Sequence, residues 1–194
     1  MTSTSEIIES YKTFLQVKYK SHYGRFCNLL RDNPEGGKAQ AVLFSLMRST
    51  VHEVRVAEDI SSGGVDFLCS LDDAAFMFEV TCLKAEAVAT QSGWENTISE
   101  SATAGSFAMI THMLRTKASF KAPQVSGYPM PRVLAITCEH IGADFLIGPN
   151  GAETLLTSDT KIAVPMGEPI GETRSTTELK DSVFFKFKNG TFES

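Results

Sequence analysis

The sequence predicts an α/β fold, a sandwich in which one sheet is covered by helices on both faces. Amphipathic helical stretches open the chain, and two apolar β-rich runs follow, separated by a short turn. A long helical stripe then leads into a third β-branched run. Helices, hairpin, helix and strand in that order place one sheet between two helical layers.

The elements follow from local pattern. Over Glu6–Leu30, Ile7, Tyr11, Phe14 and Leu15 recur at helical spacing, and Tyr19, Tyr23 and Phe26 extend the stripe, which predicts one helix. Pro34 and the Gly36-Gly37 pair predict a break over Asp32–Gly37. A second helix is expected over Lys38–Ser49, burying Ala39, Val42, Leu43, Leu46 and Met47. Glu53–Ala57 alternates as a strand and ends in a loop, Glu58–Gly64. Val65–Ser70 and Ala75–Leu83 form a hairpin candidate around Leu71-Asp72-Asp73-Ala74. Ser92-Gly93-Trp94-Glu95 has the spacing of a capping box and is expected to open a third helix that runs to about Phe120. Arg132–Cys138 is a β-branched strand after a Pro-rich loop, and Asp144–Gly148 a short element. Lys161–Pro165 and Ser182–Lys188 are expected as the last strands.

The chain of 194 residues suits one domain, 1–194. Within it, 1–37 is an N-terminal helical segment, 38–165 the core and 166–194 a C-terminal strand region. Apolar residues make up 42% and charged residues 21%, which excludes a disordered or collagenous chain. No apolar run approaches the roughly 20 residues needed to cross a bilayer, so no membrane partner is expected. The N-terminus lacks the basic and apolar regions of a signal peptide. Four dispersed cysteines without a CxxC read as thiols of a reducing compartment, and a cytoplasmic location is expected. Eighteen basic against 23 acidic residues give a formal charge of −5. A nucleic-acid partner would therefore need a local basic strip, for which Lys12, Lys18, Lys20 and Arg25, or Arg115, Lys117 and Lys121, are the candidates.

Two acids interrupt the hairpin's apolar runs. Asp66 lies in Val65–Cys69 and Glu79 in Phe76–Val80, where strands buried on both faces should be apolar throughout. Buried carboxylates are costly unless paired or bound to a cation. A turn centred between Asp72 and Asp73 sets Asp66 directly opposite Glu79, on one face, with Cβ atoms roughly 4.5–5.5 Å apart. Two carboxylates that close repel unless a cation or a shared proton intervenes. Mg²⁺ is held by one or two carboxylates with water completing its shell. The bland alternative is a pair of solvated acids near strand ends. Thr81 points to the same side as Glu79, and a one-residue change of loop length would separate the acids.

Gly64-Val65-Asp66-Phe67, a turn, and Phe78-Glu79-Val80-Thr81 resemble the core of the PD-(D/E)XK nuclease-like (restriction-endonuclease-like) proteins. Lys117 and Gln124, ahead of the Arg132–Ile136 run, are similar to a helix of that family that often carries Lys and a nearby Gln. The resemblance covers roughly residues 38–165. It implies an α/β/α core with a four-stranded mixed sheet and Mg²⁺-dependent (or Mn²⁺-dependent) hydrolysis of phosphodiesters. Asp66 and Glu79 match its metal-binding acids. Thr81 sits where the family usually has Lys, and a hydroxyl cannot replace that charge. Lys117 on the following helix or Lys84 after Thr81 are the candidates to assist in its stead. The preceding helix often adds a Glu; Gln40 is the best-placed residue, with Glu35 the alternative. The competing function is a catalytically inactive module of this type that binds a protein or nucleic-acid partner.

Other constellations carry less. Cys138-Glu139-His140 puts neighbours on opposite sides of a strand. His22, His52, His112 and His140 show no zinc-ligand spacing. Ser99–Ser106 reads as a close-packing helix face, and Pro165–Gly171 lacks a phosphate cradle. Phe184-Phe185-Lys186-Phe187, if exposed, would serve a homodimer interface.

Overall fold

The computed structural model describes residues 2–61, 63–97, 104–126, 128–142, 159–163, 176–180, 186–188 and 191–193. The chain divides into two compact units, Met1–His140 and Ile141–Ser194.

The first unit is α/β. Three helices open it: α1 (Thr4–Lys18), α2 (Lys20–Asp32) and α3 (Pro34–Thr50). A capping box of Ser3 and Glu6 starts α1. The single helix expected over Glu6–Leu30 is two helices, broken at Tyr19, whose backbone (φ −140°, ψ 60°) leaves the helical region. The break folds the apolar stripe onto itself. Tyr11 of α1 then meets Phe26 of α2 edge-on at 4.7 Å and Phe44 of α3 at 4.5 Å, which one straight helix could not arrange.

The break expected over Asp32–Gly37 shrinks to Asn33. Its side chain accepts from the Gly36 N–H, and Pro34 takes the first helical position, where its missing N–H costs nothing. The second glycine has a packing role. A Cβ on Gly37 would lie 2.6 Å from Leu30 Cδ2 and 3.1 Å from Leu30 Cα, so glycine lets α3 close against α2.

Four strands form a mixed sheet in the order β1 (Glu53–Val56), β2 (Phe67–Leu71), β3 (Ala74–Leu83) and β4 (Arg132–Cys138). The first three pair antiparallel, and β4 runs parallel to β3. Phe67 opposes Phe78 and Ser70 opposes Ala75, the register expected from a turn between Asp72 and Asp73. Asp72 makes that turn with φ 51°, a conformation that Asp tolerates better than most residues.

Phe67, Cys69 and Phe78 are buried with Tyr11, Leu15, Phe26 and Phe44 in one core. Alternation along β3 then sends Met77, Glu79 and Thr81 to the opposite face. Between β3 and β4 the chain forms α4 (Ala85–Ser92) and α5 (Ala104–Ser126), and α5 packs along both strands. Here the sequence misleads. Ser92-Gly93-Trp94-Glu95 opens no helix; α4 ends there on Gly93 in the left-handed region (φ 67°). The long helix starts later and continues past Phe120 and Pro123 to Ser126.

In the second unit, β5 (Asp159–Ala163) pairs antiparallel with β6 (Thr176–Lys180), and β7 (Lys186–Lys188) with β8 (Thr191–Glu193). The Asp144–Gly148 element, the Pro165–Gly171 loop and Phe184-Phe185 lie outside the described residues. Among the described residues no helix is long and apolar enough to cross a membrane.

Candidate functional site

The two acids meet where β2 ends and β3 continues. Ladder pairing closes at Phe67 and Phe78, so the next positions, Asp66 and Glu79, substitute side chains for backbone. The Val80 N–H donates to Asp66 Oδ2 at 2.7 Å, and the Asp66 N–H donates to Glu79 Oε2 at 3.2 Å. Asp66 thus supplies the acceptor that a longer β2 would have offered, and each acid is held by the other's segment.

Both helical layers reach this junction. From α3, Gln40 Nε2 donates to Asp66 Oδ1 at 2.8 Å. From α5, Lys121 Nζ lies 2.8 Å from Glu79 Oε1. Glu79 is almost completely buried, its side chain 3% exposed, and Lys121 supplies the charge partner that such burial demands. The same ammonium donates to Gln124 Oε1 at 2.8 Å, and Gln124 Nε2 donates to the Gly64 carbonyl at 2.6 Å. Gly64 (φ 127°) must be glycine here, because a Cβ would also meet the Tyr128 hydroxyl at 3.0 Å. The result is a cleft of about 240 Å³ whose walls include Gln40, Asp66, Glu79, Thr81, Lys117 and Lys121.

Charge crowding shows in Asp66. Burial first, and the neighbouring Glu79 carboxylate second, push its pKa up to about 7, against a smaller lowering by the Val80 N–H. Lys121 also lowers it, weakly, since its ammonium sits on Glu79.

Of the residues singled out from sequence, Asp66, Glu79, Thr81, Gln40 and Lys117 line one cleft. Lys84 does not. β3 gives way to α4 there, and Lys84 is exposed at the helix N-cap. Glu35 is also elsewhere, because its carboxylate accepts from the Ala85 N–H at 2.9 Å and so caps α4. Thr81 brings a buried hydroxyl and no charge. Lys121 is the residue whose role at Glu79 sequence reasoning missed. Its signal was present, since Lys117, Lys121 and Gln124 fall on one helical face, but a helix ended at Phe120 hides that face.

Elsewhere, Lys12 pairs with Glu9 and Arg25 with Glu58, so part of the N-terminal basic set is internally matched. The Cys138-Glu139-His140 neighbours diverge. Glu139 pairs with Lys38, and His140 Nε2 contacts the Trp94 carbonyl.

Two carboxylates and an amide around a polar cleft suit one hard divalent cation with water filling the remaining positions. Among the described residues no group of three or more His, Cys, Asp or Glu side chains gathers to cage a metal by protein ligands alone. No family model matches the chain, and no curated protein or solved structure matches it significantly.

Proposed function

We propose that this protein is a divalent-metal-dependent nuclease of the PD-(D/E)XK-like (restriction-endonuclease-like) kind, hydrolysing phosphodiester bonds of nucleic acid. One observation carries the reading: Asp66 and Glu79 share the end of a hairpin, inside a cleft that also holds Lys121. A four-stranded mixed sheet with helices on both faces is the core such a protein requires, which supports the same assignment.

Asp66 and Glu79 would hold Mg²⁺ or Mn²⁺, which when bound polarises the scissile phosphate and acidifies water. The chain's own residues do the rest. Gln40 orients Asp66 through Oδ1, and the Val80 N–H fixes Oδ2. Lys121 brings the positive charge that the strand lacks at Thr81, from the neighbouring helix instead of the strand itself. Gln124 ties that ammonium to the Gly64 backbone, so it is aimed before substrate arrives. Lys117, one turn earlier on the same wall, adds a second cation for the phosphate backbone.

The second reading is a nuclease-like module without chemistry, which the uncharged Thr81 favours. Plasmid cleavage in Mg²⁺ or Mn²⁺ separates the two. The nuclease reading expects cleavage by the wild type and a loss of at least 100-fold in Asp66→Ala, Glu79→Ala and Lys121→Ala. Equal trace nicking by all four proteins would leave the module.

A further inference from the structure

A second cavity of about 250 Å³ lies between α1, α2 and the end of the hairpin. It shares Gln40, Glu58 and Asp66 with the acidic cleft, so the two are contiguous. Its inner walls are apolar, with Leu15, Phe26 and Val56 among them. Its polar residues are Tyr11, His22, Arg25 and the shared Gln40, Glu58 and Asp66.

Tyr11 is the unusual member. The residue is 2% exposed, its ring is packed among Phe14, Phe26, Phe44 and Phe67, and its hydroxyl has no hydrogen-bond partner among the described residues. Burial, and then the charges of Asp66 and Glu58, hold that hydroxyl strongly in its protonated form, so it stays a donor. The hydroxyl is not a sealed-in, unsatisfied group: it keeps contact with the cavity, where a donor without a protein partner can be met by a ligand atom. The outer wall is pinned rather than loose. His22 Nε2 contacts the Glu58 carbonyl at 2.8 Å, and Arg25 pairs with the Glu58 carboxylate at 2.9 Å.

We propose that this cavity is a base-binding subsite, taking one unstacked nucleobase of the nucleotide whose phosphate enters the acidic cleft; it rests on the nucleic-acid reading above. The chemistry excludes the obvious competitor. Arg25 is already paired with the Glu58 carboxylate, so the cavity does not offer that cation to a phosphate. An uncharged flat ring with hydrogen-bonding edges suits apolar walls, a hydroxyl donor and carboxylate acceptors. The shared Asp66 wall sets the base beside the metal-binding acids. The enzyme would then act on an unpaired or frayed nucleotide, because a base inside a duplex cannot enter.

The test measures binding of a short single-stranded oligonucleotide carrying one 2-aminopurine, by its fluorescence, against the same strand with an abasic site at that position. Cleavage is prevented by Ca²⁺ in place of Mg²⁺. Wild type should bind the base-bearing strand at least tenfold more tightly than the abasic one. Val56→Phe, which fills the cavity at a residue that is not itself a wall of the acidic cleft, should erase that difference. Tyr11→Phe, which removes only the unpaired hydroxyl and keeps the packed ring, should reduce it about threefold to tenfold. Equal binding of the two strands by wild type, or an unchanged preference in Val56→Phe, overturns the subsite. If Asp66-dependent plasmid cleavage survives that result, only the subsite falls. If it too is absent, the nuclease reading falls with it.

Discussion

Lys121 Nζ sits 2.8 Å from Glu79 Oε1, joining the helix that covers the sheet to the most buried carboxylate in the cleft. The pair answers the cost of burying Glu79, and it ties that answer to α5. Removing the ammonium in Lys121→Met should leave a nearly buried charge without its partner. Lys121 keeps some solvent contact, its side chain 20% exposed, which moderates the penalty to about 2 kcal/mol. Chemical denaturation checks this. The double variant Lys121→Met with Glu79→Gln should recover most of the loss, since no buried charge then remains; a cycle showing simple additivity would contradict the coupling.

A pH dependence follows from Asp66. Its folded pKa is raised from 3.8 to about 7, so the folded state holds a proton that the unfolded chain has already released. The sign is that of a raised acid. The contribution to stability is fully present below about pH 4 and is lost as pH rises through 7. At about 1.4 kcal/mol per pH unit the ceiling is ~4 kcal/mol, and solvent entering the cleft scales it down. In EDTA the Tm should therefore fall between pH 5 and pH 8, and Asp66→Asn should flatten that slope. An identical slope in the variant would show that other groups set it.

Divalent cations should reverse the trend. A bound ion needs both carboxylates ionised, so Mn²⁺ affinity should climb with pH through about 7, where Asp66 releases its proton. At a concentration about 100-fold above Kd, binding adds about 2.7 kcal/mol to stability. Melting at pH 8 should show a rise of several degrees in wild type with Mn²⁺. Glu79→Ala, lacking one of the two acids, should show little or none.

The hairpin was legible because strand alternation and turn position are local. Asp66 and Glu79 break apolar runs, and a turn between Asp72 and Asp73 alone sets them opposite each other. The strands β2, β3 and β4 were legible as nearly continuous apolar runs, whereas their four-stranded mixed order was what the family resemblance implied. What connects β3 to β4 was not. Ser92-Gly93-Trp94-Glu95 satisfies the spacing of a helix start, yet Gly93 at φ 67° serves a helix end. The two patterns share residues, and only the alanine-rich turns before Ser92 distinguish them. The helix expected to run to about Phe120 likewise continues through Pro123 to Ser126 and carries Lys121 and Gln124 into the cleft. Tyr11 had no local signal of its own. Its place beside Asp66 depends on the break at Tyr19, where a backbone turn interrupts an unbroken apolar stripe.

Gly37 offers a test of packing away from the chemistry. The Gly37→Ala methyl would meet Leu30 Cδ2 and Cγ at 2.6 and 2.9 Å, and Leu30 Cα at 3.1 Å. Rotating the leucine relieves the first two contacts and not the third, so α2 and α3 must separate slightly. A loss of about 1–3 kcal/mol is expected, the usual range for overpacking. Alanine's better helix propensity returns at most about 1 kcal/mol, so the sign stays destabilising. A Tm equal to or above wild type would show that the two helices have room to spare.

Glu35 and Gln40 lie on the same helix, and the family resemblance made either a candidate to assist the acids. Their contacts assign them different work. Glu35 Oε2 accepts from the Ala85 N–H at the start of α4, where an acidic group also favours the helix dipole. Gln40 instead holds Asp66 Oδ1. Glu35→Ala should therefore cost about 1 kcal/mol, the typical value of a lost cap, and leave Mn²⁺ affinity unchanged. Gln40→Ala should do the reverse. Removing the amide frees an Asp66 oxygen without creating a buried unpaired charge, since Asp66 can hold its proton below pH 7. Its effect belongs on the cation, with affinity altered several-fold and the Tm in EDTA nearly unmoved. Isothermal titration with Mn²⁺ alongside melting of the apoprotein separates the two residues, and a Glu35→Ala protein with weakened Mn²⁺ binding would return Glu35 to the metal site.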